Sequence, residues 1–333
     1  MTELFPYRIL LKKQLIERIN RLAASCVPFL FIIDYEAKQG YLIQQNELDE
    51  NYVQFQFETP KAAHGTQNPE HSALRWEPKP LSSLSYQSKF DYVQDQIRLG
   101  NSFLTNLTQP TEVKTNLSLF DLYQLGSARY KLWLSGQFVV LSPETFVRIE
   151  GHVISSYPMK GTLDASIPHA EEILLNDPKE MAEHATIVDL IRNDLSMVAD
   201  RVEVKRYRYV EKIKTLQQDL LQVSSEISGR LPDDYQQRLG DILFSLLPAG
   251  SICGAPKPKT LEIIQQAEGY NRGFYAGVCG YFDGENLNSA VMIRFLEQDG
   301  ENLFFKSGGG ITAQSEMLKE YEELIQKVYV PIS

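Results

Sequence analysis

Four short segments carry residue types that do chemistry, at spacings a fold can use. Leu141-Ser-Pro-Glu144 places a carboxylate at a turn after a β-like run. Further on, Tyr157-Pro-Met-Lys160-Gly-Thr162 sets an amine beside a glycine, where the backbone can approach a ligand closely. Both also read as hairpin turns with solvated charges, the usual place of charged turn residues. The third runs from Lys179 through Glu183-His184 to Asp189-Leu-Ile-Arg192-Asn-Asp194. Ile187, Leu190 and Ile191 form an apolar stripe, and Glu183 lies one turn earlier on the same inward face. An acid beside a core stripe needs a cation or a salt bridge. By contrast, Asp189 with Arg192 reads as an ordinary surface pair and His184 as a satisfied helix histidine. In the fourth, Lys306-Ser-Gly308-Gly309-Gly310 precedes a helix bearing Glu316, Glu320, Glu323 and Lys327. Glycines before a helix can cradle an anion with N–H groups or serve as a hinge. No Lys-Ser or Lys-Thr follows them, so this is not a P-loop. The helix charges read equally as a solvated face. Glu183 and Glu323 would suit a Mg²⁺ that keeps several waters, although spacing alone does not bring them together.

The elements that must position these groups follow from periodicity. Helices are predicted at Leu11 to Ala24, from Tyr86 to a stop at Gly100, from an Asp177-Pro178 cap through Leu195, and at Ser315 to Val328. Strands are predicted at Pro28 to Asp34, Gly40 to Gln44, Tyr52 to Phe57 and Ser102 to Thr108. Further strands fall at Gln137 to Leu141, Thr145 to Glu150, His152 to Tyr157, Gly273 to Phe282, Leu287 to Glu297 and Leu303 to Ser307. Strands cluster without a regular βαβ repeat, which favours an α+β fold with largely antiparallel sheet. The Pro- and Ser-rich stretch from Glu58 to Ser85 reads as a surface connection. It separates a short N-terminal region, 1–84, from a main domain, 85–333.

The 333 residues are 43% hydrophobic and 23% charged, the balance of a globular protein with a substantial core. Lys and Arg number 33 against 43 Asp and Glu, a net charge of −10 that argues against nucleic acid as a partner. An anionic substrate then requires local cations inside a cleft. Three cysteines without C-x-x-C spacing fit a reducing compartment, and the five histidines form no metal-ligand pair. Met1 to Ile9 lacks a signal-peptide core, and the longest apolar run, Val27 to Ile33, is interrupted by Pro28. The expectation is a cytoplasmic enzyme with no membrane span.

Taken together, the segments resemble the chorismate-utilising enzymes over Gln87 to Val328. The matching motifs are Ser142-Pro-Glu144, Pro158-Met-Lys-Gly-Thr162, Glu183-His184 with Val188 to Asp194, Pro248-Ala-Gly-Ser-Ile-Cys-Gly-Ala-Pro-Lys257, Gly308 to Gly310 and Glu320-Tyr-Glu-Glu323. The residue before Gly161 sorts the family: anthranilate synthases carry a small residue there, the p-aminobenzoate branch a lysine, and this chain has Lys160. The resemblance implies two large, mostly antiparallel sheets packed together with outer helices and a site in the cleft between them. It further implies Mg²⁺ held by Glu183 and Glu323, Lys160 as nucleophile at C2 of chorismate, and Glu144 as the acid for the C4 hydroxyl. Ammonia from a glutaminase partner would then give 4-amino-4-deoxychorismate, for an aminodeoxychorismate lyase to convert onward to p-aminobenzoate and folate. Tyr275, Arg294, Gly308, Gly309, Gly310 and Lys327 would hold the substrate carboxylates, with Thr162 near the ring.

Three departures from the family pattern matter. Leu104 replaces the glutamine common in the G-x-x-x-Q-x-N-L-T segment, where isochorismate-forming relatives place a general-base lysine. Gln222 stands where anthranilate synthases use a histidine, and an amide cannot shuttle a proton near neutrality. The N-terminal region is short and lacks the Leu-Leu-Glu-Ser motif, so tryptophan feedback is not expected. Anthranilate formation is therefore the second reading, isochorismate formation the third, and a non-catalytic binding homologue the reading from another class.

Overall fold

Every residue of the strand Phe29–Ile33 is both apolar and buried, which requires a sheet covered on both faces. The computed structural model describes residues 5–57, 75–213 and 219–331 and places this strand inside the first of two sheets. That sheet runs Leu10–Leu11, Gln39–Gln44, Phe29–Ile33, Val278–Phe282, Leu287–Val291, Thr145–Glu150 and Val153–Ser156. It continues through Leu220–Arg230 to Met159–Asp164, with Asp200–Ile213 also paired to Leu220–Arg230. The second sheet runs Gly254–Ala255, Leu104–Thr115, Asn302–Ile311, Phe295–Asp299, Phe138–Ser142, Tyr130–Leu134 and Val53–Phe57, with Trp76–Lys79 beside Leu104–Thr115. The described part of residues 1–84 thus supplies strands to both sheets.

The period-two alternation of the strands decides which face meets which. Phe138 and Val140 enter the core shared with Phe31, Val278 and Phe295, whereas Val139 and Leu141 join Leu122, Trp133 and Phe305 on the outer face. Helices close the outside. Lys12–Ala24 buries Leu15, Ile19 and Leu22, and Ser83–Arg98 buries Tyr86, Phe90, Val93 and Ile97 against Leu107, Ile263 and Leu324. Gly100 has φ +76°, the left-handed stop its position implied. Asp177 caps Pro178–Ser196 by accepting from Glu180 N at 2.9 Å. Among the described residues no helix is long and apolar enough to cross a membrane.

Two of the short passages from one sheet to the other lie together. Phe138–Ser142 belongs to the second sheet and Thr145–Glu150 to the first, while Leu287–Val291 belongs to the first and Phe295–Asp299 to the second. The crossings run side by side: Val291 N donates to Glu144 O and Leu141 N to Arg294 O, both at 3.1 Å. Glu144 and Arg294 sit at these crossings.

Several expectations are corrected. The single β run from Leu287 to Glu297 is two strands in different sheets, broken at Arg294, whose φ of +51° turns the chain. Gly308–Gly310 is not a loop before a helix but part of the strand Asn302–Ile311, and Lys160 lies in the strand Met159–Asp164 rather than at a turn. Of the surface connection from Glu58 to Ser85, residues 58–74 lie outside the described residues. Beyond them, Trp76–Lys79 is a strand and Ser83 opens a helix. The long hairpin of Asp200–Ile213 and Leu220–Arg230 went unpredicted, because charges such as Arg201, Glu203, Lys205 and Arg206 make its first strand read as surface chain.

Candidate active site

The edge strand Met159–Asp164 brings Lys160 opposite Val223, and a bulge at Gly161, φ +78°, re-aims the chain before Thr162 pairs with Gln222. A side chain at Gly161 would also stand 3.2 Å from Glu180 Oε2, so the bare backbone lets that carboxylate close in. Lys160 Nζ lies 3.1 Å from Glu183 Oε2, whose side chain is only 13% exposed at the start of the long helix. On the other oxygen, Lys179 Nζ stands 3.7 Å from Glu183 Oε1 and 3.9 Å from Glu320 Oε1. Glu183 therefore faces two ammonium groups, which answers the need of an inward acid for cations.

The helix Met317–Gln326 delivers the opposite wall. Glu320 is buried and accepts from Ser315 Oγ at 2.7 Å, and Glu323 Oε1 lies 2.6 Å from Lys327 Nζ. Lys327 also donates to Gly308 O at 3.0 Å. The face of Glu316, Glu320, Glu323 and Lys327 is thus not solvated throughout: its central members point at the glycine strand. That strand explains its glycines. Along the glycine strand Phe295–Asp299 reaches only from Asn302 to Lys306, so Gly308 to Gly310 have strand Leu104–Thr115 on one side and an edge free of strand pairing on the other. A Cβ on Gly309 would lie 3.4 Å from Glu320 Oε2 and 3.6 Å from Glu323 Oε1, and one on Gly310 would lie 3.8 Å from Lys160 Nζ. A side chain at Gly309 would crowd the two carboxylates, and one at Gly310 would crowd Leu104 and approach the amine.

Glu144 is partly buried. Its backbone N–H donates to Ser142 Oγ at 3.1 Å, and its Oε1 accepts a short hydrogen bond from Ser251 Oγ. Burial pushes its carboxyl above the ordinary range, against the opposing pull of Ser251 and of the Lys160, Arg294 and Lys327 charges. Glu320 and Glu180 are raised by burial as well, Glu180 further by Glu183. Burial also works on Glu323, but Lys327 outweighs it and holds that carboxyl below its usual value. Arg294 stacks on Tyr329, 4.9 Å to the ring centre, and Tyr275 packs on Phe295. Tyr275 is buried; burial raises its hydroxyl far above the ordinary range, and the charges of Arg272 and Glu268 act on it more than those of Arg294 and Glu144. Thr162 stands apart, exposed, its Oγ1 accepting from Gln222 Nε2 at 3.4 Å.

The structure thus brings Lys160, Glu144, Glu183, Glu323, Arg294, Lys327, Tyr275 and the glycines to one cleft, with Thr162 at its margin. Sequence reasoning missed Lys179, Glu180 and Ser251, and left Glu320 without a task. A signal was present: Glu180–Glu183 and Glu320–Glu323 are both Glu-x-x-Glu pairs, so two helices each present two carboxylates. Such an all-oxygen donor set suits a hard divalent cation. Among the described residues no three acidic, His or Cys groups gather tightly enough to enclose one.

Comparison with known proteins gives the family and the fold. Residues 7–333 match the family model of the chorismate binding enzymes, and the chain belongs to that family. It is 49% identical over 317 residues to an uncharacterised PabA-like protein of Pasteurella multocida, covering 95% of this chain and 98% of that one. It is 32% identical to anthranilate synthase component 1 of Acetivibrio thermocellus, over 76% of this chain and 57% of that one. With aminodeoxychorismate synthase component 1 of Salmonella typhimurium it shares 30% identity, over 92% and 68%. The fold is that of a crystal structure described as a putative 2,3-dihydroxybenzoate-specific isochorismate synthase from Bacillus anthracis. The TM-score is 0.71 at 20% identity, covering 97% of this chain and 90% of that one.

Proposed function

We propose that this chain is component I of an aminodeoxychorismate synthase, adding ammonia to chorismate at C4. The observation that carries the reading is the amine of Lys160 in the cleft between the Glu183 and Glu320–Glu323 helices, with the raised carboxyl of Glu144 close enough to feel its charge. In this reading Lys160, as the neutral amine, attacks C2 of the ring; both ring double bonds shift, C1=C2 to C1=C6 and C5=C6 to C4=C5, and the C4–O bond breaks. Glu144 gives its proton to the departing hydroxyl, which leaves as water. Ammonia then forms the C4–N bond, both double bonds return to C5=C6 and C1=C2, and the C2–N bond breaks to release Lys160 as an amine. Glu144 takes the surplus ammonia proton and is ready again. Mg²⁺ held by Glu183 and Glu323, when bound, supplies positive charge for the ring carboxylate. Arg294 and Lys327 face the second carboxylate, and the glycine strand keeps the space open for the ring.

Glutamine would serve as the ammonia source only with a glutaminase partner, and a separate lyase would release p-aminobenzoate. The test is to incubate the chain with chorismate, Mg²⁺ and ammonium, add an aminodeoxychorismate lyase, and identify the aromatic product. p-Aminobenzoate is expected. Anthranilate would favour the second reading, anthranilate synthase component I, which the Acetivibrio relative supports and which Lys160 and Gln222 oppose. Under that outcome C4 amination is abandoned.

A further inference from the structure

The motif Pro248 to Lys257 takes no part in the reading above, yet it places Ser251 against the proposed acid. Ser251 Oγ donates to Glu144 Oε1, and both residues line one small cavity together with Thr145, Pro158 and Asp194. We propose that Ser251 is a positioning residue for Glu144: it occupies Oε1, so the transferable proton resides on Oε2, and it keeps the carboxyl from turning into the cavity. This rests on Glu144 being the acid.

The Glu144 backbone is already fixed from both sides, by Ser142 Oγ on its N–H and by Val291 N on its carbonyl. What is left free is rotation of the side chain. On one side it meets the charges of Lys160, Arg294 and Lys327; on the other the cavity, with the Asp194–Lys257 pair at 2.7 Å. Asp194 Oδ2 would lie 2.9 Å from a Cβ on Gly250, beside Ser251, so a larger residue at 250 is excluded and the serine is held close to the acid. A hydroxyl donating to a carboxylate favours its charged form, so Ser251 also limits how far burial raises Glu144.

The experiment compares Ser251→Ala, Ser251→Thr and Glu144→Gln in the ammonium-dependent assay across pH, with melting temperatures alongside. Ser251→Ala is expected to lower kcat by about 10- to 100-fold with KM for chorismate within about twofold. Its high-pH limb, where the acid loses its proton, moves to higher pH, because the bond favouring the carboxylate is gone. Ser251→Thr, which restores the hydroxyl, recovers most of the rate and returns the limb. An unchanged kcat and limb in Ser251→Ala overturns the proposal. So does a loss of rate without a limb shift, or with a lower melting temperature that threonine fails to rescue. Should Glu144→Gln itself remain active, the reading of Glu144 fails instead, and that outcome is distinct.

Discussion

Two clusters of charge lie in this molecule, and they are built differently. In the first, Arg272 and Glu268 are each only 2% exposed and joined at 2.6 and 2.9 Å, with further guanidinium N–H groups on Ile252 O at 3.0 Å and Asn106 O at 2.8 Å. Glu268 Oε1 accepts further bonds from Thr108 N and Oγ1 at 2.7 and 2.8 Å. Lys306 adds to it, donating to Arg272 O at 3.0 Å and pairing with Glu297 at 2.6 Å. In the second, Glu183, Glu320, Lys160 and Lys179 meet at 3.1 to 3.9 Å, and the lysines keep 28% and 47% of their side chains exposed. The first is saturated and sealed; the second is short of partners and open to a ligand. Saturation marks a structural cluster, and incomplete satisfaction at the same charge density marks a working one.

The sharpest way to break this contrast is through Lys160. Lys160→Ala should lower amination by about 10³–10⁴-fold while melting temperature and chorismate binding stay close to those of the native chain, since a partly exposed pair contributes little to stability. Calorimetry or intrinsic fluorescence for binding, beside the product assay, decides it; retained turnover removes the nucleophile role. Arg272→Met should do the reverse. It leaves Glu268 buried without its cation and costs about 3–5 kcal/mol in a denaturant melt. A loss below about 1 kcal/mol would put the two clusters in one category.

Glu144→Gln joins the two measurements. Because burial raises the native carboxyl above its unfolded value, the native state binds the proton more tightly than the unfolded state. That contribution to stability is complete below the unfolded value and is lost as pH rises toward the folded one. The glutamine variant should therefore melt higher than the native chain at neutral pH, with the gain vanishing in acid, while its activity falls. A variant that melts lower at both pH values would show that the carboxylate is not strained by burial. The smallest effect is expected from Lys179→Gln. Its half-exposed ammonium bridges Glu183 and Glu320 at long range, so the metal-free chain should lose less than about 1 kcal/mol. A loss of several kcal/mol would mean that Lys179 holds the two helices together.

Much of this site is legible in the primary sequence because each motif is local. The cap at Asp177, the stripe of Ile187 and Ile191, and the alternation at Tyr52 to Phe57 depend on neighbours a few residues away, and periodicity reports such neighbours directly. The types of the groups are set the same way: an amine beside a glycine, and two Glu-x-x-Glu pairs. What only the tertiary structure decided is which motifs meet. Glu144 and Arg294 are 150 residues apart and become neighbours because two segments of the chain cross between the sheets together. The glycines of 308 to 310 read as a loop because nothing local says that a second strand lies along them and that an acidic helix and Lys160 lie over them. The acid of Glu144 takes its raised proton affinity from burial, and its partners Ser251, Lys160 and Lys327 arrive from three distant segments. Local propensity acts over one turn or one strand, whereas desolvation and charge act through space, and only the folded chain fixes those distances.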